Sequence, residues 1–177
     1  YVHLMAEVMR RAFADRAAYI GDPDFNPEMP LDELTSKVFA KQRFDNIDMT
    51  KASVSDAALY GHPYDGNNTT HFSVVDKEGN AVSLTYTLEY AYGSQMGSNK
   101  LGFIFNNEMG DFNPVPGLTT NSGQIGSPAN LIAPEKRMLS SMTPTIVAKN
   151  GKPYLIIGSP GCRTIINTVF QTVLNVL

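Results

Sequence analysis

The feature that most constrains the fold is a pair of β-branched segments that alternate with period two and are joined by a short polar turn. The first segment, TTHFSVVD, begins at Thr69, and the second, AVSLTYTL, begins at Ala81. Alternation of this kind predicts two neighbouring strands, and the KEGN between them predicts an antiparallel hairpin. A chain that contains this hairpin forms a sheet and must cover at least one face of it.

The length of the turn decides which residues face each other across the hairpin. If residues 77–79 form the loop, with Gly79 in the left-handed conformation, Asp76 pairs with Asn80 and Thr69 lies opposite Thr87. A loop longer by one residue would shift the pairing and separate the two threonines. Thr suits strands for steric reasons alone, so this pairing indicates no function without further evidence.

Helical periodicity dominates the sequence before and after this β region. Apolar residues recur at helical spacing from Leu4 to Phe13 and from Ile165 to Leu174, which predicts an amphipathic helix in each place. Pro30, followed by acidic residues, predicts another helix start, with the helix running to about Phe44. Helices and hairpin together indicate an α+β fold in which a sheet packs on a sheet and on helices.

The remaining sequence predicts a connector, a long loop and further strands. Residues 45–68 are rich in Asp, Ser, Asn, Gly and Pro, which indicates an exposed connector. Residues 107–130 form a polar loop of a length that is usually functional or disordered. Further strands are predicted at GFIFNN, MTPTIVAK and PYLIIG. The chain begins and stops inside helical patterns, so we expect it to be a central fragment of a longer protein.

Composition and charge exclude several classes of function. Hydrophobic residues make up 42% of the chain and charged residues 18%, which is too apolar for a disordered chain. The net charge of -3 provides no basic stripe, so nucleic acid is not expected as a partner. No apolar run approaches the ~18 residues of a membrane span. The single cysteine, Cys162, excludes an intrachain disulfide.

Five motifs together resemble the gamma-glutamyltranspeptidase family. Residues 69–94 resemble the start of the family's small subunit, and the other motifs are RRAFADRAAYIGDPDF, NNEMGDF, RMLSSMTP and GSPG. Several ordered motifs are specific where one alone would be weak. The resemblance implies an N-terminal-nucleophile hydrolase with a four-layer αββα sandwich, of which this chain holds part. Residues 1–68 would be the C-terminal part of the large subunit, and 69–177 the N-terminal part of the small subunit.

The resemblance implies that the precursor cleaves itself between Asn68 and Thr69 and that Thr69 is then the nucleophile. A Thr hydroxyl inside a chain is a poor nucleophile, but an N-terminal Thr has an α-amine of pKa ~8 that can serve as its base. The exposed connector suits cleavage, which needs an accessible peptide. An alternative interpretation of this segment is a glycosylation acceptor, because Asn67 and Asn68 both fit the N-x-[ST] pattern. That pattern is common by chance.

The same resemblance implies the other site residues. Thr87 would orient the Thr69 hydroxyl, and the backbone N–H groups of Gly161 and Cys162 would stabilise the oxyanion. The residues implied to bind the substrate are Glu89, Glu108, Asp111, Ser140 and Ser141. Carboxylates that only accept hydrogen bonds suit the α-amino group, and the serine pair would hold the α-carboxylate. Without the family, these acidic and serine residues would be ordinary turn residues.

Two positions depart from the family pattern. Glu89 stands where relatives often have Asn, which adds negative charge to the site. Cys162 replaces the second glycine of a pair, and a backbone position that needs a positive φ would be strained there. A non-catalytic homologue with a decayed site is therefore one alternative, although retention of the remaining site residues argues against it.

The expected reaction is attack by Thr69 on a gamma-glutamyl amide such as that of glutathione, which gives an acyl-enzyme. Water, an amino acid or a peptide amine then accepts the acyl group, and no metal or organic cofactor is expected. The large and small subunits of one precursor would be partners, in the periplasm or outside the cell. Alternatives on the same scaffold are cephalosporin acylation chemistry and poly-gamma-glutamate processing.

Two other patterns are weaker. Asp22, Asp24, Asn26 and Glu33 match ligand positions of a calcium loop, but Pro27 occupies the position where glycine makes the sharp turn. We therefore do not expect calcium binding. The histidines show no metal-ligand spacing, and His71 is expected to be structural.

Overall fold

The computed structural model describes residues 1–54, 68–113 and 127–177. The chain divides into two compact units. The first unit comprises Tyr1–His62 and Asp111–Leu139, and the second unit comprises Pro63–Gly110 and Ser140–Leu177. The predicted boundary after Asn68 concerns the subunits of a cleaved precursor rather than compact units, and it stays a prediction. In the described ranges, no helix is long and apolar enough to cross a membrane.

The α-helices in the described part of the first unit are α1 (Val2–Tyr19), α2 (Leu31–Leu34) and α3 (Lys37–Asp45). The first predicted helix is confirmed as α1, and the second predicted helix is observed as two separate helices, α2 and α3. Ser36 has an extended backbone (φ -76°, ψ 149°), and its hydroxyl accepts a 3.0 Å hydrogen bond from Phe39 N. Serine in this arrangement caps a new helix. The prediction of one unbroken helix to Phe44 is therefore wrong.

A buried carboxylate joins α1 to the segment after α3. Glu7 is 1% exposed and accepts hydrogen bonds from the Ser53 hydroxyl (2.6 Å), Ser53 N (2.9 Å) and the Arg11 guanidinium (2.5 Å). These bonds lower the Glu7 pKa to about 2, with the Ser53 hydroxyl as the largest cause, because they favour the charged form. Glu7 is therefore charged at neutral pH and stabilises the first unit.

The loop that partly matches a calcium site binds an arginine. Asp22 accepts hydrogen bonds from Arg137 Nη2 (2.6 Å) and Arg137 N (2.8 Å), and Asp24 lies 2.5 Å from the same guanidinium. The Arg137 side chain holds the Asp22 pKa well below its usual range. Both carboxylates thus belong to a salt bridge within the first unit.

The second unit contains the predicted hairpin in the predicted register. β1 (Thr69–Val75) and β2 (Ala81–Thr87) pair antiparallel, and Thr69 lies opposite Thr87. Asp76 N donates to Asn80 O over 3.0 Å, and Gly79 has a φ of 86°. The shorter loop is confirmed, because the left-handed glycine closes the turn one residue earlier than the alternative register requires.

A second hairpin lies across one face of the first. It consists of β3 (Thr145–Lys149) and β4 (Lys152–Ile157), which also pair antiparallel. The Ser73 hydroxyl donates to Ile156 O (3.2 Å), and the Ser83 hydroxyl donates to Ile157 O (3.0 Å). The last helix, α4 (Thr164–Val176), buries Ile165 and Val169. The strands predicted in MTPTIVAK and PYLIIG and the last predicted helix are confirmed.

The two faces of the first hairpin differ in chemistry, because alternate side chains of a strand point to opposite faces. The face toward the second hairpin has Thr69, His71, Ser73, Ser83, Thr85 and Thr87. The opposite face exposes Phe72, Val74, Val82, Leu84 and Tyr86. The face toward the second hairpin is thus largely polar and partly covered, whereas the opposite face is apolar and exposed. Antiparallel sheets commonly bury their apolar face instead.

The strand predicted at GFIFNN is wrong. Ile104 forms only an isolated bridge with Gly97, and Phe103 O and Phe105 N are bonded to Ser98 N and Met96 O. Left-handed residues at positions 92, 93, 95 and 102 turn the chain repeatedly, so no regular ladder extends here. Most of the predicted connector and loop, at 55–67 and 114–126, lies outside the described residues.

Candidate active site

Thr69 and Thr87 lie side by side at the open end of the first hairpin. Thr69 is 7% exposed, and its cross-strand partner is Thr87. The two hydroxyl oxygens are 3.4 Å apart, with Thr69 as the donor. The usual O–H···O distance is ~2.5–3.0 Å, so these hydroxyls are in contact but weakly bonded. A sequestered hydroxyl beside a second hydroxyl is a suitable setting for a nucleophile.

The loop after β2 holds the Thr87 oxygen from the other side. Glu89 N donates to Thr87 Oγ1 over 2.9 Å, and Glu89 has a left-handed φ of 68°. A hydroxyl has one proton and two lone pairs, so this bond leaves the Thr87 proton and one lone pair for Thr69. The loop therefore orients Thr87 in a way that strand pairing alone does not.

The acidic residues of NNEMGDF lie on a 3-10 helix, Glu108–Asp111. Asn106 Oδ1 accepts from Glu108 N (3.0 Å) and caps the start of this helix. Asn107 Oδ1 accepts from Tyr90 N (3.1 Å) and holds the turn against the loop after β2. The two asparagines thus hold the start of the acidic turn against the loop after β2.

Glu89 reaches the same turn with its side chain. The Glu89 carboxylate packs directly on Gly110, because a Cβ there would lie 2.6 and 2.7 Å from its two oxygens. Glu108 is 8% exposed, and Asp111 ends the turn. The structure brings the Glu89 carboxylate to the turn that carries the other two acidic residues. Carboxylates suit a cationic ligand such as an ammonium, and the binding role of the three acidic residues stays a prediction.

His71 fixes the start of GSPG on the polar face of the first hairpin. Its Nδ1 is hydrogen-bonded to the Thr85 hydroxyl (2.9 Å) and its Nε2 to the Ser73 hydroxyl (3.1 Å). A Cβ on Gly158 would lie 2.2 Å from the His71 ring, so the ring packs directly on the glycine backbone. His71 has the structural role expected from the sequence. Residue 158 therefore lies on the face that also carries Thr69.

Gly161 and Cys162 form the turn that leads into α4. Their φ angles are 125° and 48°, both in the region that favours glycine. Gly161 O accepts from Thr164 N (3.0 Å) and from the Thr164 hydroxyl (2.6 Å), which fixes the turn. The turn precedes Arg163, the N-cap of α4, and the oxyanion role of its two N–H groups stays a prediction. The positive φ that was expected to strain Cys162 is present.

Ser140 and Ser141 come immediately before β3 in the second unit. Ser140 Oγ accepts from Met142 N (3.1 Å), and Ser141 O accepts from the Thr143 hydroxyl (3.1 Å). These bonds define a local turn, and the role of the two serines in substrate binding stays a prediction.

Several supporting residues of the site were not predicted from the sequence. The role of Asn106 could have been predicted, because asparagine is a preferred residue at the start of a helix. The roles of Gly110 and Gly158 could not, since a loop glycine shows no sign of which side chain will pack against it.

Comparisons with known proteins agree with these motifs. A profile of the gamma-glutamyltranspeptidase family matches residues 1–177. The glutathione hydrolase proenzyme of Escherichia coli (strain K12) is 48% identical over 176 residues, which are 98% of this chain and 30% of that protein. The chain therefore spans about 30% of the length of this curated relative. The acylase ACY 1 proenzyme of Pseudomonas sp. (strain SE83) is 35% identical over 99% of this chain and 29% of its own length.

Solved structures give a related result. A mutant of the gamma-glutamyltranspeptidase of Helicobacter pylori has 52% sequence identity and a TM-score of 0.56. The match covers 60% of this chain and 57% of that chain. Gamma-glutamyltranspeptidases are N-terminal-nucleophile hydrolases, and the mixture of helices and strands described above is compatible with that class.

Proposed function

Because this chain belongs to the gamma-glutamyltranspeptidase family, we propose that its protein cleaves itself before Thr69 and then transfers gamma-glutamyl groups through an ester on the Thr69 hydroxyl. The observation that carries this proposal is the contact between Thr69 and Thr87. A buried hydroxyl at the first position of β1 has a second hydroxyl 3.4 Å away, and that second hydroxyl is itself held by Glu89 N.

Self-cleavage follows from the connectivity at Thr69. The Thr69 oxygen can reach the carbonyl carbon of Asn68 through a small unstrained ring. Its attack converts the amide into an ester and frees the Thr69 amine, which takes up the hydroxyl proton. Water then hydrolyses the ester, which leaves a carboxylate on Asn68 and restores the hydroxyl. Thr87 keeps the attacking oxygen in place during these steps.

After cleavage, the free α-amine of Thr69 acts as the base for its own hydroxyl. The oxygen attacks the gamma-carbonyl carbon of the donor, and the backbone N–H groups of Gly161 and Cys162 stabilise the oxyanion. The tetrahedral intermediate collapses, and the departing amine receives the proton held by the Thr69 amine. Water, an amino acid or a peptide amine then attacks the ester and releases the gamma-glutamyl product.

The α-ammonium and α-carboxylate of the donor bind to separate groups of residues. Glu89, Glu108 and Asp111 receive the ammonium, which the closeness of Glu89 to the Glu108–Asp111 turn supports. Ser140 and Ser141 receive the carboxylate, on the strength of their place in RMLSSMTP. Glutathione has a gamma-glutamyl group with both charges, which makes it the expected physiological donor.

The complete protein has four αββα layers, of which this chain contributes part. The exposed apolar face of the first hairpin supports this arrangement, because such a face needs a further layer to cover it. The protein functions as large and small subunits of one precursor, in the periplasm or outside the cell. The chemistry of an N-terminal threonine needs no metal or organic cofactor.

The alternatives have less support. The acylase relative is less similar to this chain than the glutathione hydrolase is, with 35% against 48% identity. The two carboxylates of the acidic turn, with that of Glu89 beside it, also favour a donor with an ammonium group. A non-catalytic homologue would have no reason to keep Thr87 bonded on both sides.

The test is a pair of variants in the full-length protein. Thr69→Ala should give one uncleaved band on a denaturing gel and no hydrolysis of a gamma-glutamyl anilide. Thr70→Ala is the matched control, because the Thr70 side chain is exposed on the opposite strand face. It should be processed and active. Normal two-subunit processing of Thr69→Ala would contradict the proposal.

A further inference from the structure

Asn130 is a buried asparagine whose side chain joins two segments that carry the proposed substrate-binding residues. It is 3% exposed, and it ends the short 3-10 helix Pro128–Asn130 of the first unit. Its Nδ2 donates to Asp111 O over 2.7 Å, and its Oδ1 accepts from Leu139 N over 2.9 Å. Asp111 ends the acidic turn, and Leu139 directly precedes Ser140.

The two hydrogen bonds fix both the position and the orientation of the Asn130 amide. A backbone carbonyl can only accept and a backbone N–H can only donate, so rotating the amide by half a turn would break both bonds. A buried amide with both ends satisfied holds its partners at a set separation. If one bond were lost, a part-buried backbone group would lose its side-chain partner. No other residue type of this size offers a donor and an acceptor in this geometry.

Backbone contacts reinforce this connection on the Asp111 side. Asn113 N donates to Asn130 O (3.0 Å), and Ile132 N donates to Asn113 O (3.2 Å). On the other side, Arg137 is bonded to Asp22 through both its backbone and its guanidinium. The peptide groups at Asp111 and Leu139 are therefore held within one network of the first unit.

We infer that Asn130 is a positioning residue for donor recognition, which sets the distance between the turn that binds the α-ammonium and the serine pair that binds the α-carboxylate. This inference rests on the proposed function. Asn130 acts through Asp111 and through the segment that leads to Ser140, and it has no part in the bond-making steps at Thr69. Small displacements of positioning groups are known to reduce rates by up to ~100-fold.

The separation of these two roles gives a sharp test. Self-cleavage uses Thr69 and its neighbours, and the Asn68 peptide has no α-ammonium or α-carboxylate for Asn130 to help place. Asn130→Asp in the full-length protein keeps the shape and the acceptor for Leu139 N but removes the donor to Asp111 O. The kcat/KM for a gamma-glutamyl anilide should fall about 10- to 100-fold, mainly through KM. The half-time of precursor cleavage should change less than about 3-fold.

The matched control is Asn113→Asp. Asn113 is also buried, and its Nδ2 also donates to a backbone carbonyl, that of Ser127, at 3.0 Å. Among the residues that the structure describes, its side-chain amide is bonded to Ser127 O and not to Leu139 or Ser140. The ratio of donor kcat/KM to cleavage rate should therefore remain as in the wild type. A selective loss of the same size in Asn113→Asp would overturn the inference.

Further outcomes are equally decisive. Equal slowing of cleavage and hydrolysis in Asn130→Asp, or no slowing of either, would overturn the positioning role. If Asn130→Asp does not fold, Arg137→Lys serves as a second variant. The Arg137 side chain is exposed, and its replacement weakens the ion pair with Asp22 that holds the segment before Ser140. This variant should reduce donor kcat/KM about 3- to 10-fold without slowing cleavage. Equal or absent effects in that variant overturn the inference. A wild type without gamma-glutamyl hydrolysis would instead refute the proposed function, and this inference with it.

Discussion

The Cys162→Gly substitution tests whether the site needs a backbone group or a side chain at the start of α4. Cys162 has a φ of 48° and follows Gly161, whose φ is 125°. A side chain in the left-handed region brings its Cβ too close to the backbone. The proposed function uses only the N–H of Cys162, so replacement by glycine should remove strain without removing the group that acts.

The magnitude follows from two opposing effects. A side chain in the left-handed conformation costs ~1–2 kcal/mol, whereas glycine loses ~0.5–1 kcal/mol more on folding through backbone entropy. The free energy of unfolding should therefore stay level or rise by up to ~1.5 kcal/mol. Loss of one oxyanion donor raises the activation free energy of the kcat step by ~2.7–4 kcal/mol. Better alignment of the Cys162 N–H can therefore lower that activation free energy by no more than this amount. We expect kcat to remain at the wild-type level or to increase.

The assay is hydrolysis of a gamma-glutamyl anilide by full-length wild type, Cys162→Gly and Cys162→Ala, with urea unfolding of each. Cys162→Ala is the matched control, because it removes the thiol and keeps the Cβ that causes the strain. It should be as active as the wild type and no more stable. Thr69→Ala is measured in the same series.

Two results would refute this reasoning. If Cys162→Gly and Cys162→Ala both lost activity while Thr69→Ala kept it, the thiol would be the nucleophile. If only Cys162→Gly lost activity, the rigidity that a side chain gives this turn would matter more than the strain. Either result would show that the turn before α4 does not serve simply as a pair of N–H donors.

Two further predictions concern stability. Gly158→Ala should lower the free energy of unfolding by ~1–3 kcal/mol, because the new Cβ would lie 2.2 Å from the His71 ring; Gly97→Ala, with its nearest neighbour at 3.5 Å, should cost much less in the same urea titration. Glu7 has a folded pKa of about 2 against an ordinary value of 4.5, so its contribution to stability is complete above about pH 4.5 and is lost as the pH falls toward 2. The urea midpoint of the wild type should therefore fall more steeply between pH 5 and pH 2.5 than that of Glu7→Gln, and parallel curves would contradict the assignment.

Local sequence was sufficient for the hairpin that carries Thr69. The turn at residues 77–79 places Gly79 where a left-handed residue is needed, and of the two loop lengths considered from the sequence the structure has the shorter. The pairing of Thr69 with Thr87 is therefore a consequence of residues close together in the chain. The outer helices were also predictable, because the 3.6-residue period of their apolar residues is a local property.

Local sequence failed where two local preferences compete. The segment GFIFNN has strand-forming residues, yet left-handed residues around it interrupt the ladder. The predicted second helix divided at Ser36, where a cap is more favourable than continuation. In both places the composition suggested one element, and the backbone conformation of single residues decided otherwise.

Tertiary structure alone decided how the supporting contacts of the site are formed. Glu89 packs on Gly110, His71 packs on Gly158, and Asn130 joins Asp111 to Leu139. Each contact joins residues that are well separated in sequence, and each depends on a distance that no residue type or spacing encodes. The sequence determined which groups are available and in what order they occur. The folded chain determined which of them meet, because only packing brings distant backbone and side-chain groups within hydrogen-bonding distance.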